Sequence, residues 1–265
     1  MINIFHLGEG SLLFKNQRLQ EMLRIIRESQ HATVPELAQR LFISEATVRR
    51  DIAILERNGL ILKSYGGISL NTGNNRFVQL NLRAVANEQA KKRIAARAAA
   101  LVEPGDTLLI DGSSTVMCMI PLLKQRNLTV ITNSLRAAAQ LGESGARVYV
   151  TGGLLLESSQ VFVGSVAEAA LNTFHADKLF FSATGVSAQG DISDYSEMEA
   201  HLRRIMLRRS AQQYLLCDST KFEKQHLFHI ANVESLTGVI ADEAYRFQNG
   251  VSTLPANQKE ASPHD

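Results

Sequence analysis

Two cysteines in 265 residues leave no disulfide framework and no cysteine metal cluster to consider. Cys118 and Cys217 stand far apart, each within an apolar run (Met117-Cys118-Met119 and Leu215-Leu216-Cys217). They read as buried free thiols in a reducing compartment. A strong charge of one sign is also missing: the net charge of +2 is too small to argue for nucleic acid by itself. No apolar run approaches the roughly 20 residues of a membrane-spanning helix. Residues 1–14 include a short apolar patch with no basic residue before it, which argues against a secretory signal. Residues 1–15 read as a flexible extension. The expectation is a cytoplasmic protein with no membrane partner.

What is present is an ordinary globular composition, 45% hydrophobic and 20% charged, long enough for a small domain plus a medium one. The charge is unevenly spread. Residues 1–75 hold nine Lys/Arg against seven Asp/Glu, and the rest hold nineteen of each. The whole positive excess therefore lies in the N-terminal segment, the sign a footprint on phosphates requires.

Three helices are legible in that segment. From Asn16 to Ser29, Leu19, Met22, Leu23 and Ile26 recur at spacings of three and four. Thr33-Val34-Pro35-Glu36 is a capping box with proline in the first turn, opening a helix to Leu41. After the short connection Phe42-Ile43, Ser44 caps a third helix to about Asn58, with Val48, Ile52 and Leu55 on one face and Gly59 as its stop. Leu60 to Leu70 then alternates apolar and polar residues around Gly66-Gly67, a short hairpin. Two helices with a tight turn and a following hairpin are a winged helix-turn-helix, residues 16–70. The third helix presents Ser44, Glu45, Ala46, Thr47, Arg49 and Arg50 in its first two turns. Small and hydrogen-bonding side chains followed by paired guanidinium groups suit a groove of double-stranded DNA.

Residues 71–86 form a polar linker. Beyond it, over 87–250, an Ala-rich helix from Glu88 to Val102 precedes short apolar strands alternating with helices: Thr107–Ile110, helix Thr115–Leu123, Leu128–Ile131, helix Leu135–Leu141, Arg147–Val150. Lys178–Ser182, helix Glu197–Ser210, Tyr214–Cys217 and Gly238–Ala241 follow. This is an α/β pattern with a mainly parallel sheet covered on both faces. From Val251 to Asp265 a polar tail is expected to be disordered.

Ligands of such sheets bind beyond the carboxyl ends of the strands. Those ends read Asp111-Gly112-Ser113-Ser114-Thr115, Thr132-Asn133-Ser134, Thr151-Gly152-Gly153, Ala183-Thr184-Gly185 and Asp218-Ser219-Thr220-Lys221. Each alone is an ordinary turn and helix cap. Five at one sheet edge point to a polar, anion-holding crevice in which backbone N–H groups and Lys221 face a phosphate, while Asp111 and Asn133 face hydroxyls. His175, His201, His226 and His229 lack metal spacing and read as solvated or satisfied. Arg203-Arg204 and Arg208-Arg209 read as a solvated face or a subunit contact rather than a second DNA site.

On Ser44-Glu45-Ala46-Thr47-Val48-Arg49-Arg50-Asp51, Leu55-Glu56-Arg57-Asn58-Gly59-Leu60 and the wing Tyr65-Gly66-Gly67, the chain resembles DeoR-family transcriptional regulators. The second half is similar to that family's sensor domain in Lys91-Lys92-Arg93-Ile94-Ala95, Asp106 to Thr115, Thr132-Asn133-Ser134, Gly152-Gly153, Gly164, Asp177-Lys178 and Asp218 to Phe222. The resemblance implies a Rossmann-like sensor fold related to phosphosugar isomerases, with phosphorylated sugars or their derivatives as inducers, no cofactor, and repression of a carbohydrate operon. In the first loop the family's Asp-x-Gly-Thr-Thr is replaced by Asp111-Gly112-Ser113-Ser114-Thr115: the glycine moves forward and hydroxyl donors remain.

The expected roles follow. Ser44 caps and reaches a phosphate. Glu45, Ala46, Thr47 and Arg50 read base edges, where a bidentate arginine–guanine contact discriminates by about 1–3 kcal/mol. Arg49 does either base or phosphate work, Asp51 holds a neighbouring arginine in place, and Lys63 and Tyr65 touch the DNA backbone. One winged helix buries too little for tight specific binding, which implies a homo-oligomer, dimer or larger. A phosphosugar isomerase is the rival. It needs a base and an acid at the substrate; Asp111, with Asp191 or Asp194, could begin such a set, but no His or Glu completes it, and the Gly-rich lysine loop of ribose phosphate isomerases is missing. A regulator that answers protein contact with an empty crevice is the third possibility.

Overall fold

The computed structural model describes residues 14–57, 61–64, 67–70, 87–123 and 127–256. The chain divides into two compact units, Met1–Glu88 and Gln89–Asp265.

In the first unit, α1 (Phe14–Ser29) is followed by β1 (His31–Ala32), α2 (Val34–Leu41), α3 (Glu45–Arg57), β2 (Ile61–Ser64) and β3 (Gly67–Leu70). α1 begins two residues ahead of the expected Asn16, and residues 1–13 of the expected extension lie outside the described residues. The capping box forms: the Glu36 N–H donates to Thr33 Oγ1 (3.4 Å) and the Thr33 N–H to Glu36 Oε2 (2.7 Å). α2 stops at Phe42, whose left-handed φ of 54° turns the chain sharply into α3. Leu19, Met22, Leu23 and Ile26 of α1 pack with Leu37 of α2 and with Val48, Ile52 and Leu55 of α3, the positions marked by helical periodicity. β2 and β3 form the expected hairpin, and β1 pairs with β3 on its other side. Two residues ahead of a capping box carry no period to detect. Gly59, Tyr65, Gly66 and the linker 71–86 lie outside the described residues.

The second unit contains α4 (Glu88–Ala100), β4 (Thr107–Ile110), α5 (Ser114–Met117), β5 (Thr129–Thr132), α6 (Leu135–Gly142) and β6 (Arg147–Val150). A hairpin of β7 (Leu154–Leu156) and β8 (Val161–Val163) leads to α7 (Ser165–Asn172) and β9 (Ala176–Phe181). Then come β10 (Gly185–Val186), β11 (Asp191–Asp194), α8 (Glu197–Arg208), β12 (Ser210–Cys217), β13 (Phe228–Asn232), β14 (Gly238–Ala241) and β15 (Leu254–Pro255). Seven strands, all paired parallel, form one sheet in the order β15-β14-β12-β9-β4-β5-β6. Alternate side chains feed two cores. Leu108, Ile110, Val130, Phe180 and Leu216 meet Ile94, Ala98, Ala137 and Leu141. Leu109, Ile131, Leu179, Phe181 and Leu215 meet Ala167, Leu171, Ile205 and Met206. Covering both faces is what makes the strands read as continuous apolar runs. From β4 the order steps to β5 and β6 on one side, and from β9 to β12 and β14 on the other. The reversal between β4 and β9 is where such a sheet leaves a crevice at its carboxyl edge.

Two expectations are corrected. The helix expected over Thr115–Leu123 is the single turn α5 and a separate 3-10 turn over Ile120–Leu122, because Pro121 has no N–H to continue an α-helix. The tail expected to be disordered from Val251 is structured to Ala256. There β15 pairs with β14, Ile240 opposite Leu254 and Ala241 opposite Pro255, an edge position where proline breaks no ladder. Residues 257–265 lie outside the described residues. The hairpin β7–β8, α7 and a small antiparallel sheet of β10, β11 and β13 were not anticipated.

Candidate functional site

On the first unit, α3 is two-sided. Val48, Asp51, Ile52 and Leu55 are buried, while Ser44, Glu45, Ala46, Arg49 and Arg50 are exposed and Thr47 half-buried. Ser44 caps the helix, its Oγ accepting from the Thr47 N–H at 3.3 Å. Asp51 does hold an arginine, and it is Arg18 of α1: Nε donates to Oδ2 at 2.5 Å and Nη2 to Oδ1 at 3.1 Å. That hydrogen bond raises the Arg18 guanidinium above its ordinary range, and the pair fixes α3 on α1. Arg49 donates to Glu45 Oε2 at 2.8 Å, one helical turn back, so Glu45 is engaged on the surface where it was expected to read a base. Lys63 on the wing is paired with Glu56. Among the described side chains Arg50 makes no ion pair, which leaves a free guanidinium on the exposed face. Arg49, Lys63 and Ser64 line a groove of about 570 Å³ with Thr33, Pro35, Ile52 and Gly67. The two cations thus border one groove between α3 and the wing.

In the second unit the carboxyl ends of β4 and β9 are tied together. Asp111 is buried: Oδ1 accepts from the Ser113 N–H (3.0 Å), and Oδ2 from the Ser182 N–H (3.3 Å) and Arg203 Nε (3.0 Å). Arg203 was expected on a solvated face or a subunit contact. It is 7% exposed and reaches Asp111, Asp194 (2.7 Å) and Glu199 (3.3 Å). Burial works to neutralise the guanidinium, but Asp111, Asp194 and Glu199 outweigh it and hold the group charged, above its usual range. Asp111 is therefore spent on Arg203, and the sugar-hydroxyl role expected of it is taken up by a structural one. Its only sequence signal was the spacing of Glu199 and Arg203, one helical turn apart.

Beside this buried node lies the loop Gly112 to Thr115, half-buried except for the buried Thr115. A Cβ on Gly112 would lie 2.3 Å from Val161 Cγ1, so only glycine lets the β7–β8 hairpin lie this close. Ser113 caps α5 through the Val116 N–H (3.4 Å). Among the described residues no hydrogen bond takes the N–H groups of Gly112, Ser114 and Thr115 or the hydroxyls of Ser114 and Thr115. These are five donors on three residues.

The second loop is more committed. Thr132 Oγ1 donates to the Ile110 carbonyl (2.8 Å) and accepts from the Ser134 N–H (3.0 Å). Ser134 caps α6 through the Ala137 N–H (3.2 Å), and the Leu135 N–H is taken by the Gln160 carbonyl (3.0 Å). Asn133 Nδ2 donates to the Phe162 carbonyl (3.1 Å), but its Oδ1 is buried with no hydrogen-bond partner. An orphan acceptor costs about 1–3 kcal/mol, and a hydroxyl or water donor would relieve it.

Gly152 (φ 64°) borders open space; Gly153 (φ 109°) is pressed against the Val163 carbonyl, 2.6 Å from a Cβ built there. Gly185 belongs to β10, where a Cβ would meet the Lys224 carbonyl at 2.7 Å, so it serves packing rather than an open loop. Lys221 ends a 3-10 turn after β12 and is half-buried. No cluster of metal-ligating side chains occurs among the described residues.

Two domain families match the chain. The DeoR-like helix-turn-helix domain matches residues 18–74 and the DeoR C terminal sensor domain residues 86–243. The chain is 35% identical over 227 residues to an uncharacterized HTH-type transcriptional regulator of Bacillus subtilis, covering 85% of this chain and 88% of that protein. It is 32% identical to the lactose phosphotransferase system repressor of Staphylococcus aureus, covering 91% and 96%. It is also 32% identical to the L-fucose operon activator of Haemophilus influenzae, covering 94% and 98%.

Proposed function

Because the chain belongs to the DeoR family of transcriptional regulators, we propose that α3 reads a double-stranded operator while a phosphorylated sugar or sugar derivative, held at the β4–β9 switch point, modulates its grip. One observation carries the effector half: five uncommitted donors at Gly112, Ser114 and Thr115 sit at the strand-order reversal, where an anion is the complementary ligand. Lys221 adds a full positive charge. Asn133 Oδ1, buried without a partner, accepts a sugar hydroxyl. Ser113, Thr132, Ser134, Gly152, Gly153 and Gly185 shape the site through caps, turns and packing.

On the DNA side, Arg50 and Thr47 face base edges, with Ala46 able to meet a thymine methyl. Ser44, Arg49, Lys63 and Tyr65 take phosphates. A single such module buries only about 600–1,000 Å² on DNA, which supports a homo-oligomer, dimer or tetramer, on repeated half-sites. Its place of action is the cytoplasm, beside the chromosome. By likeness to the staphylococcal repressor, effector releases the protein from an operator of carbohydrate utilisation. The protein is not an isomerase on this reading: the Asp111 and Asp194 carboxylates are both held by Arg203, so neither is uncommitted.

The experiment is operator gel shift with a duplex selected by the chain from a randomised pool, repeated with a sugar phosphate panel. Release by one or more phosphates, with none turned over, is the expected result. Indifference of the protein–DNA complex to every compound that binds would refute the coupling.

A further inference from the structure

An exposed patch tied to the buried node at these strand ends has no place in the scheme so far. Tyr195 is 60% exposed, Met198 50% and Leu227 83%. The Tyr195 ring lies on the imidazole of His226, centroids 4.0 Å apart and planes inclined by 44°. Two independent anchors tie the pair to the ends of β4 and β9. The Tyr195 N–H donates to Asp194 Oδ1 at 2.7 Å; the other Asp194 oxygen binds Arg203, which binds Asp111 directly after β4. The His226 N–H donates to Ser193 Oγ at 2.9 Å, and its ring Nε2 lies 3.3 Å from the carbonyl of Thr184, three residues beyond β9. Tyr195 is thus one residue from the buried node that joins the two strand ends, and its backing histidine touches the loop after the second.

The chemistry of the patch complements the polar floor. Gly112, Ser114 and Thr115 offer donors, which satisfy a phosphate but are indifferent to what carries it. A tyrosine ring has a negative face, and the C–H bonds on one side of a sugar ring are its complement. An acyclic phosphate ester presents no such flat face. Tyr195 and Met198 lie three residues apart at the start of α8 and Leu227 follows His226, so the exposed side chains gather about the stacked pair, and grouped exposure of this kind marks a binding surface rather than scattered surface residues.

We propose that Tyr195, backed by His226, is the sugar-facing platform of the effector site and selects ring-bearing over acyclic phosphate esters. This rests on the effector reading above and adds to it the residue that distinguishes one phosphate from another. Tyr195→Phe keeps the ring face and should keep the preference. Tyr195→Ala should lose it.

The test is calorimetric titration of the full chain with galactose 6-phosphate, glucose 6-phosphate, glycerol 3-phosphate and inorganic phosphate, with mass by light scattering alongside. For Tyr195→Ala the expected result is about a ten-fold loss of affinity for whichever hexose phosphate the wild type binds, the size of one aromatic contact. Glycerol 3-phosphate and inorganic phosphate should bind as before, and the mass should not change. Equal affinity of wild type and Tyr195→Ala for the hexose phosphate overturns the proposal, as does an equal loss for all four probes. A fall in mass overturns it too, assigning the patch to an interface between copies. If the wild type itself binds none of the four, the effector reading fails first and the platform with it, an outcome told apart by the silence of the unmutated protein.

Discussion

Arg203→Met removes the cation at the centre of the second unit and leaves its volume nearly filled. Wild-type Arg203 contacts Asp111 at 3.0 Å, Asp194 at 2.7 Å and Glu199 at 3.3 Å, with Asp111 and Asp194 themselves buried. Breaking a buried pair from one side costs about 3–5 kcal/mol, because the remaining charge is stranded. Here two buried carboxylates are stranded together. At about 2–4 °C per kcal/mol for a unit of this size, the melting temperature should fall by about 10 °C at pH 7.5.

Removing the stranded charges tests the assignment. Adding Asp111→Asn and Asp194→Asn to Arg203→Met should recover part of the loss, because no buried carboxylate is then left without its cation. Scanning calorimetry at pH 7.5 decides it. A deficit below about 1 kcal/mol for Arg203→Met, or no recovery in the triple variant, would refute the assignment of Arg203 as the shared counter-ion.

Four further outcomes are expected. Arg50→Ala should lower operator affinity while reducing preference among operator variants at one position, the loss being about 1–3 kcal/mol; selection from a randomised pool reads both. Lys63→Ala should weaken every duplex alike and reduce the log–log salt slope by about 1, measured by anisotropy across a potassium chloride series. Lys221→Ala should abolish the response to effector and leave operator binding intact, and a normal response would displace Lys221 from the site. Gly153→Ala forces a side chain at φ 109° into contact with the Val163 carbonyl, so a cost of about 1–3 kcal/mol is expected in urea unfolding.

Much of this was legible beforehand, for identifiable reasons. α3 was readable because Ser44 caps it and Val48, Ile52 and Leu55 recur on one face. The strands of the parallel sheet were readable because burial on both faces makes them uninterrupted apolar runs. Strand order was not readable, since no local pattern states which strand neighbours which, and the β4–β9 reversal exists only in the assembled sheet. The roles at the crevice were partly inverted for the same cause. Asp111 looked like a ligand for hydroxyls because its partner, Arg203, lies 92 residues away on α8. Arg203 looked solvated because it stands beside another arginine, Arg204, which bonds the His229 carbonyl at the surface. Adjacent residues on a helix point about 100° apart, so a pair of arginines can split between core and solvent.

The size of coupling required bounds what the effector must do. Moving an operator-competent state from 99:1 to 1:99 takes about 5.5 kcal/mol of differential affinity. In a dimer with a crevice in each protomer that is about 2.7 kcal/mol per ligand, the worth of one or two hydrogen bonds to a charged group at about 1.5–3 kcal/mol each. The Gly112–Thr115 loop offers five donors, and Lys221 a sixth. Losing one or two of them in the operator-competent arrangement is sufficient, and a large rearrangement of the sheet is not needed. The hairpin pressed on Gly112 and bonded to Asn133 through Phe162 is the element whose small displacement would change that number. Effector affinity measured with and without operator should therefore differ by about 100-fold per site, and equal affinities would mean that the crevice and the operator are not coupled.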